Sequence, residues 1–129
     1  TVIAGQHLRC LQKEFAEACR RGRLVLVSHA DNMPALLAEN HFYIGKAGAA
    51  TMFECYASNV PAIVNFTLPG QEQGNLQLLL QDGAGCHAES TSHLVQVLKK
   101  LLADSAAGWQ ALCVAMRRVS GLQRILQRQ

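Results

Sequence analysis

The sequence has few charged residues, few aromatic residues and no long apolar run. Of its 129 residues, 16% are charged and 5% are aromatic, whereas 50% are hydrophobic. This composition excludes a disordered, highly charged chain and predicts one globular domain with a buried core. No apolar run reaches the roughly 18 residues that a transmembrane helix needs, and no signal peptide is recognisable.

The sequence also lacks a strong charge imbalance and a metal-binding pattern. The net charge of +3 is too small to indicate a nucleic-acid partner. The chain has no Cys-x-x-Cys pair, and its odd number of cysteines predicts reduced, buried thiols and a cytoplasmic location. The histidines and cysteines have no recognised ligand spacing, so we expect neither a metal nor a cofactor. The five cysteines are Cys10, Cys19, Cys55, Cys86 and Cys113.

Short apolar runs alternate with helix-like stretches along the chain. This alternation predicts right-handed βαβ units and therefore an α/β fold with a parallel, Rossmann-like sheet and flanking helices. Ligands bind such sheets at the carboxyl ends of the strands, so the loops after strands one to four are expected to form the site. Strands are predicted at 2–4, 24–27, 41–44, 62–64 and 84–87, and helices at 8–21, 31–38, from 51, 73–81 and 90–102. Gly22 is the predicted stop of the first helix, Asp82-Gly83 the stop of the helix at 73–81, and Ser90 or Thr91 the cap of the last helix. The side chains predicted to face inward are Leu8, Leu11, Phe15, Ala18 and Cys19 on the first helix and Leu94, Val97, Leu98 and Leu101 on the last.

The turn after the third predicted strand is built from small residues. Gly45 ends that strand, and Ala47 to Ala50 read Ala-Gly-Ala-Ala before Thr51. Small side chains at a strand-to-helix turn allow an anion to approach free backbone N–H groups at the positive end of the helix. Spacing alone does not distinguish two interpretations. The turn either binds a phosphate or needs small residues for packing. Lys46 could face a phosphate, but a lone lysine at the end of a strand is more often solvated or in contact with another residue of the site than with the ligand itself.

Two further polar features follow this turn. Glu54 lies one turn into the helix, where a carboxylate either accepts hydrogen bonds from ribose hydroxyls or remains solvated near the helix dipole. The loop from Pro69 to Asn75, Pro-Gly-Gln-Glu-Gln-Gly-Asn, carries four hydrogen-bonding side chains. Such a loop suits a sugar, and it also suits the capping of a helix.

These motifs occur together in one known family. The segment from Lys46 to Asn75, with the upstream Asp31-Asn32-Met33-Pro34, resembles the donor-binding segment of glycosyltransferase family 28. That family, of GT-B architecture, contains monogalactosyldiacylglycerol synthase, the processive diacylglycerol glucosyltransferases and the lipid II N-acetylglucosaminyltransferase. The Pro-Gly-Gln-Glu-x-x-Asn element points to the diacylglycerol branch. The resemblance covers roughly residues 1 to 105.

The resemblance implies a role for each matching residue. Gly48 and Thr51 would contact a diphosphate, Glu54 the ribose, and Gln71 with Glu72 the donor sugar. Three segments depart from the family pattern. Ala49 replaces a proline, Gln6-His7 replaces an Arg-Asn, and Ser28-His29-Ala30 replaces a Gly-Phe-Val. The catalytic base is not assigned, and no metal is implied. The donor-binding residues are therefore predicted to be Gly48, Ala49, Thr51, Glu54, Gln71, Glu72, Asn75, His29 and His7.

The function implied is that of a hexosyltransferase fragment. Residues 1–107 would be the nucleotide-sugar-binding domain, lacking its first βα unit, since the chain starts within a β-like run at Thr1. Residues 108–129 would form a basic amphipathic helix, which either contacts an anionic membrane peripherally or packs back onto an N-terminal domain. Its predicted basic face contains Arg117, Arg124 and Arg128, and its predicted apolar face contains Trp109, Leu112, Met116, Val119 and Leu126. The expected partners are a UDP-sugar donor and a lipid acceptor, the latter bound by the absent N-terminal domain. The alternatives are a non-catalytic nucleotide-sugar-binding or interaction domain and a nucleotide-sugar hydrolase or epimerase.

Overall fold

The computed structural model describes residues 1–126, and it describes the surroundings of side chains for residues 1–120. It divides the chain into two compact units, Thr1–Met33 and Pro34–Gln129. Every strand pair in both units is parallel, and helices connect the strands. The predicted α/β fold, with parallel Rossmann-like sheet structure and flanking helices, is therefore confirmed.

The first unit is a small βαβ arrangement. Its strands β1 (Val2–Ile3) and β2 (Leu26–Val27) pair in parallel. A 3₁₀ turn at Gly5–His7 leads into α1 (Leu8–Glu14), and α2 (Ala16–Arg20) follows.

The single helix predicted over residues 8–21 is interrupted in this unit. Phe15 separates the two helices with φ −108° and ψ 26°, and its side chain is 43% exposed rather than buried. Gly22, the predicted helix stop, has a φ of +67° and donates its N–H to the carbonyl of Cys19. The end of the helical region is thus as predicted, because glycine adopts the left-handed conformation that a helix terminus requires.

The second unit is built on a three-stranded parallel sheet in the order β3-β4-β5. Its strands are β3 (Tyr43–Lys46), β4 (Ala62–Phe66) and β5 (Gly85–His87). The central strand supplies the core, since Ala62, Ile63 and Val64 are fully buried. An apolar run of this kind is expected for a strand that is covered on both faces.

Three helices lie close to the predicted sequence positions, although α4 begins two residues before Thr51, where its start was predicted. They are α3 (Met33–Ala38), α4 (Ala49–Ser58) and α5 (Gln73–Gln81). The α4 helix starts after Gly48 and ends at Asn59, which has a φ of +56° and so acts as a left-handed cap. The bounds of α5 equal the predicted ones.

The last helix, α6 (Thr91–Leu126), has two limbs. Ser90 caps its start, as predicted, because its hydroxyl accepts the N–H of His93. Ala103 has non-helical backbone angles, and the next three residues are left-handed, with φ between 51° and 61° from Asp104 to Ala106. The predicted end of the helix at residue 102 therefore corresponds to a break, after which a second limb begins.

The first limb of α6 completes the main core. Leu101 clusters with the buried Ile63 and Ala88, and half-buried apolar side chains pack around them. The four residues predicted to face inward from this limb, Leu94, Val97, Leu98 and Leu101, all belong to this cluster.

The second limb packs within its own unit. The Trp109 indole donates to the carbonyl of His41 at 3.0 Å, and the buried Ser120 hydroxyl donates to the carbonyl of Tyr56 at 2.6 Å. Met116 is fully buried between these two contacts along the limb. The predicted apolar face thus covers the core, while Arg117 is exposed. The predicted basic face also includes Arg124 and Arg128, which lie outside the residues whose side chains are described.

All five cysteines are free thiols. Cys55 and Cys113 are buried as predicted, Cys19 and Cys86 are half-buried, and Cys10 is exposed, so the prediction of burial is wrong for Cys10. Burial raises the pKa of the Cys55 thiol to about 12, which makes it a poor nucleophile. Within residues 1–126, no helix combines the length and hydrophobicity needed to cross a membrane.

Candidate functional site

The candidate site is a cavity of about 330 Å³ in the second unit. It lies where β3 and β4 end, which is the edge of a parallel sheet at which ligands bind. Its volume falls at the lower end of the range of small-molecule sites, about 300–1,000 Å³. Residues 45–51, here named the glycine turn, form one side, and residues 68–75, the amide loop, form the other. The lining residues are Lys46, Gly48, Ala49, Ala50, Thr51, Leu68, Gln71, Glu72 and Asn75.

An irregular end of β3 sets the direction of the glycine turn. The β3–β4 register shifts between Gly45 and Lys46, so that β4 contributes one extra residue there. The ring of Tyr43 lies over Gly45, so a Cβ atom at position 45 would overlap the Tyr43 hydroxyl. That hydroxyl donates to the carbonyl of Lys46 at 3.2 Å. A larger residue at position 45 would therefore displace the Tyr43 ring, and the strand continues through Gly45 to Lys46 rather than ending there as predicted.

The start of α4 presents free donors to the cavity. Gly48 is the residue before the first turn, in an extended conformation with φ −65° and ψ 138°. The N–H groups of the first helical turn have no intrahelical acceptor, and the helix dipole places positive partial charge there. Ala49, Ala50 and Thr51 contribute this turn and line the cavity. Their short side chains leave the backbone accessible, which is the arrangement that binds anions.

Glu72 is the buried charge of the amide loop. Its side chain is 6% exposed, and its Oε1 accepts a hydrogen bond from Lys46 Nζ at 2.9 Å. Its Oε2 accepts the backbone N–H of Leu68 at 3.0 Å. The Lys46 side chain, followed by the Leu68 N–H, holds the pKa of the Glu72 carboxyl below its usual value of 4.5. The carboxylate is therefore ionised at neutral pH and fixed in place.

A second side-chain contact ties the amide loop to the glycine turn. Asn75 Nδ2 donates to the carbonyl of Ala47 at 2.9 Å, and Ala47 is fully buried. Gln71 also lines the cavity, but its side chain is exposed there. The loop thus combines a fixed carboxylate, a fixed amide and an exposed amide.

The structure brings six of the nine predicted residues together around the cavity. Glu54 is half-buried in α4 and is absent from the cavity lining. His7 and His29 belong to the first unit, where both are exposed. The six lining residues are Gly48, Ala49, Thr51, Gln71, Glu72 and Asn75.

The sequence analysis did not predict that Lys46 pairs with Glu72. It left Lys46 solvated, facing a phosphate or touching another residue of the site, and the structure places its ammonium group on Glu72. The position of Lys46 at the end of β3 and of Glu72 after β4 was a usable signal, because adjacent parallel strands bring their following residues together. Within the described residues, no group of three His, Cys, Asp or Glu side chains is arranged to hold a metal ion.

Comparison with known proteins identifies the family. The sequence pattern of the Glycosyltransferase family 28 C-terminal domain matches residues 6–125 of this chain. This match includes both sides of the cavity and the whole sheet of the second unit.

Individual relatives agree with this match. A processive diacylglycerol beta-glucosyltransferase of Staphylococcus carnosus is 27% identical over 99 residues, which are 77% of this chain and 25% of the relative. Monogalactosyldiacylglycerol synthase 2 of Arabidopsis thaliana is 34% identical over 55 residues, 43% of this chain and 12% of the relative. The chain therefore spans a quarter or less of the length of these relatives. We conclude that the chain belongs to glycosyltransferase family 28 and is similar to its C-terminal domain.

Proposed function

We propose that this domain binds the nucleotide-sugar donor of an inverting glycosyltransferase that transfers a hexose to a lipid or lipid-linked acceptor. The observation that carries the proposal is the cavity itself, in which a helix start with free N–H groups faces a loop of amide and carboxylate side chains. An anion and a polyhydroxyl group are the two ligand parts that these surfaces fit. The names of the relatives, a diacylglycerol glucosyltransferase and a galactolipid synthase, support a lipid acceptor.

In this proposal the glycine turn binds the diphosphate of the donor. The N–H groups at the start of α4, with Thr51, stabilise the negative charge that develops on the leaving group. This stabilisation comes from the backbone and the helix dipole, so the proposal does not call on a metal ion or a cofactor. Glu54, which is half-buried on the same helix three residues after Thr51, is assigned to the ribose hydroxyls.

The amide loop orients the hexose. Gln71 reaches the mouth of the cavity, and Glu72 presents a carboxylate whose oxygens have further acceptor sites. Asn75 acts by fixing Ala47. The assignment of His7 and His29 to the donor remains a prediction, as do a cytoplasmic location and peripheral membrane contact.

The proposed reaction inverts the anomeric carbon. The acceptor hydroxyl oxygen forms a bond to that carbon, the bond to the diphosphate oxygen breaks, and UDP leaves with the electron pair. The hydroxyl proton passes to a general base that we place outside this chain, together with the acceptor site. The role of the domain is to position the donor and to stabilise the leaving diphosphate.

Calorimetric titration tests the proposal with UDP, ADP and two UDP-hexoses. We expect UDP to bind more tightly than ADP, and one UDP-hexose to bind more tightly than UDP. The variant Gln71→Ala should lose the gain from the hexose while it retains the affinity for UDP. Gln73→Ala is the matched control, because Gln73 is exposed in the same sequence stretch and does not line the cavity.

Three results would contradict the proposal in different ways. Absence of any preference for UDP over ADP would favour the interaction-domain alternative. Hydrolysis of the UDP-hexose during the titration, seen as released hexose, would favour the hydrolase alternative. If Gln71→Ala loses affinity for UDP and for UDP-hexose equally, Gln71 does not contact the sugar.

A further inference from the structure

We propose that the Lys46–Glu72 ion pair exchanges partners when a donor binds, so that Lys46 moves to the diphosphate and Glu72 Oε1 becomes free to bind the sugar. This inference rests on the proposed donor site. It adds a cation to that site and makes recognition of the sugar depend on the diphosphate.

The pair lies between the two parts of the proposed donor site. Lys46 Nζ is 3.4 Å and Glu72 Oε1 is 3.5 Å from the position that a Cβ atom on Gly48 would occupy. Gly48 precedes the free N–H groups of α4, so the ammonium group is next to the proposed diphosphate position.

The two members of the pair differ in their freedom to move. Glu72 is held by Leu68 twice, since its Oε2 accepts the Leu68 N–H and its own N–H donates to the Leu68 carbonyl. The Glu72 side chain is also 6% exposed, whereas that of Lys46 is 52% exposed. Lysine carries its charge on a flexible four-carbon stem, and its three N–H donors can turn to a new acceptor. Lys46 is therefore the member that moves.

The charges favour the exchange once a diphosphate enters. In the empty cavity each member of the pair cancels the charge of the other, so the Lys46 ammonium contributes little attraction for an anion. A diphosphate carries more negative charge than the single carboxylate, and it lies beside the positive end of α4. Lys46 gains by turning to it, because hydrogen bonds between an ammonium and a phosphate are charge-assisted.

The exchange changes what Glu72 can do. Its Oε2 stays on the Leu68 N–H, which keeps the carboxylate in position. Its Oε1 loses the Lys46 hydrogen bond and is left as a buried acceptor, which is costly unless a donor replaces the ammonium. A hydroxyl of the hexose supplies that donor. Glu72 thus has a structural role in the empty site and a sugar-binding role in the occupied one.

The test uses inorganic diphosphate, so that neither nucleoside nor sugar contributes. Calorimetric titration of the whole chain is compared with that of Lys46→Gln, Glu72→Gln and the double variant. Glutamine at position 46 still donates to Glu72 but carries no charge. We expect Lys46→Gln to bind diphosphate about tenfold more weakly, as befits the loss of one charge-assisted hydrogen bond. We expect Glu72→Gln to bind it several-fold more tightly, because Lys46 is no longer neutralised.

The double variant and a control isolate the exchange. If the gain in Glu72→Gln acts through Lys46, it disappears in the double variant, and the two effects are not additive. Lys99→Met is the matched control, since Lys99 is exposed on α6 and does not line the cavity. It should leave the affinity for diphosphate unchanged. Tryptophan fluorescence of Trp109 and circular dichroism verify that each variant is folded.

Each other result overturns the inference. Equal weakening in both single variants means that the pair is a fixed clamp. Unchanged affinity in Lys46→Gln means that the lysine does not contact the anion. If the unaltered chain does not bind diphosphate at all, Lys46 is not a cation of the proposed site.

The proposed function has a separate readout, the preference for UDP over ADP and the gain from the hexose. A chain that shows opposite effects of the two variants on diphosphate but lacks both nucleotide preferences would keep the exchange and refute the donor function. A chain that prefers UDP-hexose, and whose affinity for diphosphate is unchanged by Lys46→Gln, would keep the donor function and refute the exchange.

Discussion

Replacing Gly48 by alanine should separate ligand binding from stability in this domain. Gly48 has φ −65° and ψ 138°, which any residue adopts without strain. The added methyl group would lie 3.4 Å from Lys46 Nζ and 3.5 Å from Glu72 Oε1. The first contact is slightly tight and involves the end of a flexible side chain. The fold can therefore accept alanine, whereas the methyl group would occupy the cavity.

The expected change in stability is small because two effects oppose each other. Alanine reduces the conformational freedom of the unfolded chain, which stabilises a protein by about 0.4–1 kcal/mol where the backbone is compatible. Alanine is also a poorer residue than glycine immediately before a helix, at a cost of roughly 0.5–1 kcal/mol. We expect the free energy of unfolding of Gly48→Ala to lie within about 0.5 kcal/mol of the original value.

The expected change in binding is much larger. The methyl group would block the approach of a phosphate to the N–H groups at the start of α4. Loss of one hydrogen bond to a charged group corresponds to about 1.5–3 kcal/mol. The affinity for UDP should therefore fall by between about tenfold and about a hundredfold.

The assay pairs urea denaturation with calorimetric titration of UDP. Gly74→Ala is the matched control, because Gly74 is exposed in α5 and a Cβ atom there meets nothing within 4 Å. It should raise the free energy of unfolding by up to about 1 kcal/mol and leave UDP binding unchanged. An unaltered UDP affinity in Gly48→Ala would refute the placement of the diphosphate. A large loss of stability would show instead that Gly48 is required for packing.

Three further predictions concern the scaffold and its dependence on pH. Ser120→Ala should lower the free energy of unfolding by about 1 kcal/mol in urea titrations, since it removes the buried hydrogen bond to the Tyr56 carbonyl; an unchanged value would mean that water replaces the contact. Ala106→Gly should raise the free energy of unfolding by about 1 kcal/mol because Ala106 has a φ of +61°. Ala111→Gly on the same helix should lower it by about 1 kcal/mol. Changes of the same sign in the two free energies of unfolding would contradict the left-handed break. The Glu72 interactions lower the pKa of its carboxyl, so they stabilise the fold above the usual value of 4.5 and are lost as the pH falls through the lower folded value; stability should fall less steeply with acid in Glu72→Gln.

The sequence was sufficient for the elements that local signals define. The apolar run at residues 62–64 predicted the central strand, and the turn residues Asp82-Gly83 placed the end of α5 correctly. The break at Phe15 had no such signal, because neither proline nor glycine marks it. The left-handed residues from Asp104 to Ala106 also lack a glycine. Tertiary packing determines such breaks in a helix, and the local helix propensity of the sequence does not predict them.

The candidate site was predictable as a set of residue types but not as a set of contacts. Order along the strands placed the glycine turn and the amide loop at one edge of the sheet. The ion pair joins two residues that are 26 positions apart, and lysine and glutamate are usually solvated when they are considered singly. Glu54 was chosen for its chemistry and lies outside the lining of this cavity, so its assignment to the ribose stays a prediction. Burial and pairing, which only the fold specifies, decide which of the predicted residues meet.

The second limb of α6 has a consequence for the order in which the domain folds during synthesis. Its contacts span long stretches of chain, 68 residues from Trp109 to His41 and 64 residues from Ser120 to Tyr56. Met116, which is fully buried, lies between them. The strands of the sheet can pair as soon as β5 has left the ribosome. The part of the core beside α4 stays exposed to solvent until residue 120 has emerged. Completion of the core is therefore expected late in translation, and a nascent chain that ends before this limb should be a target for chaperones.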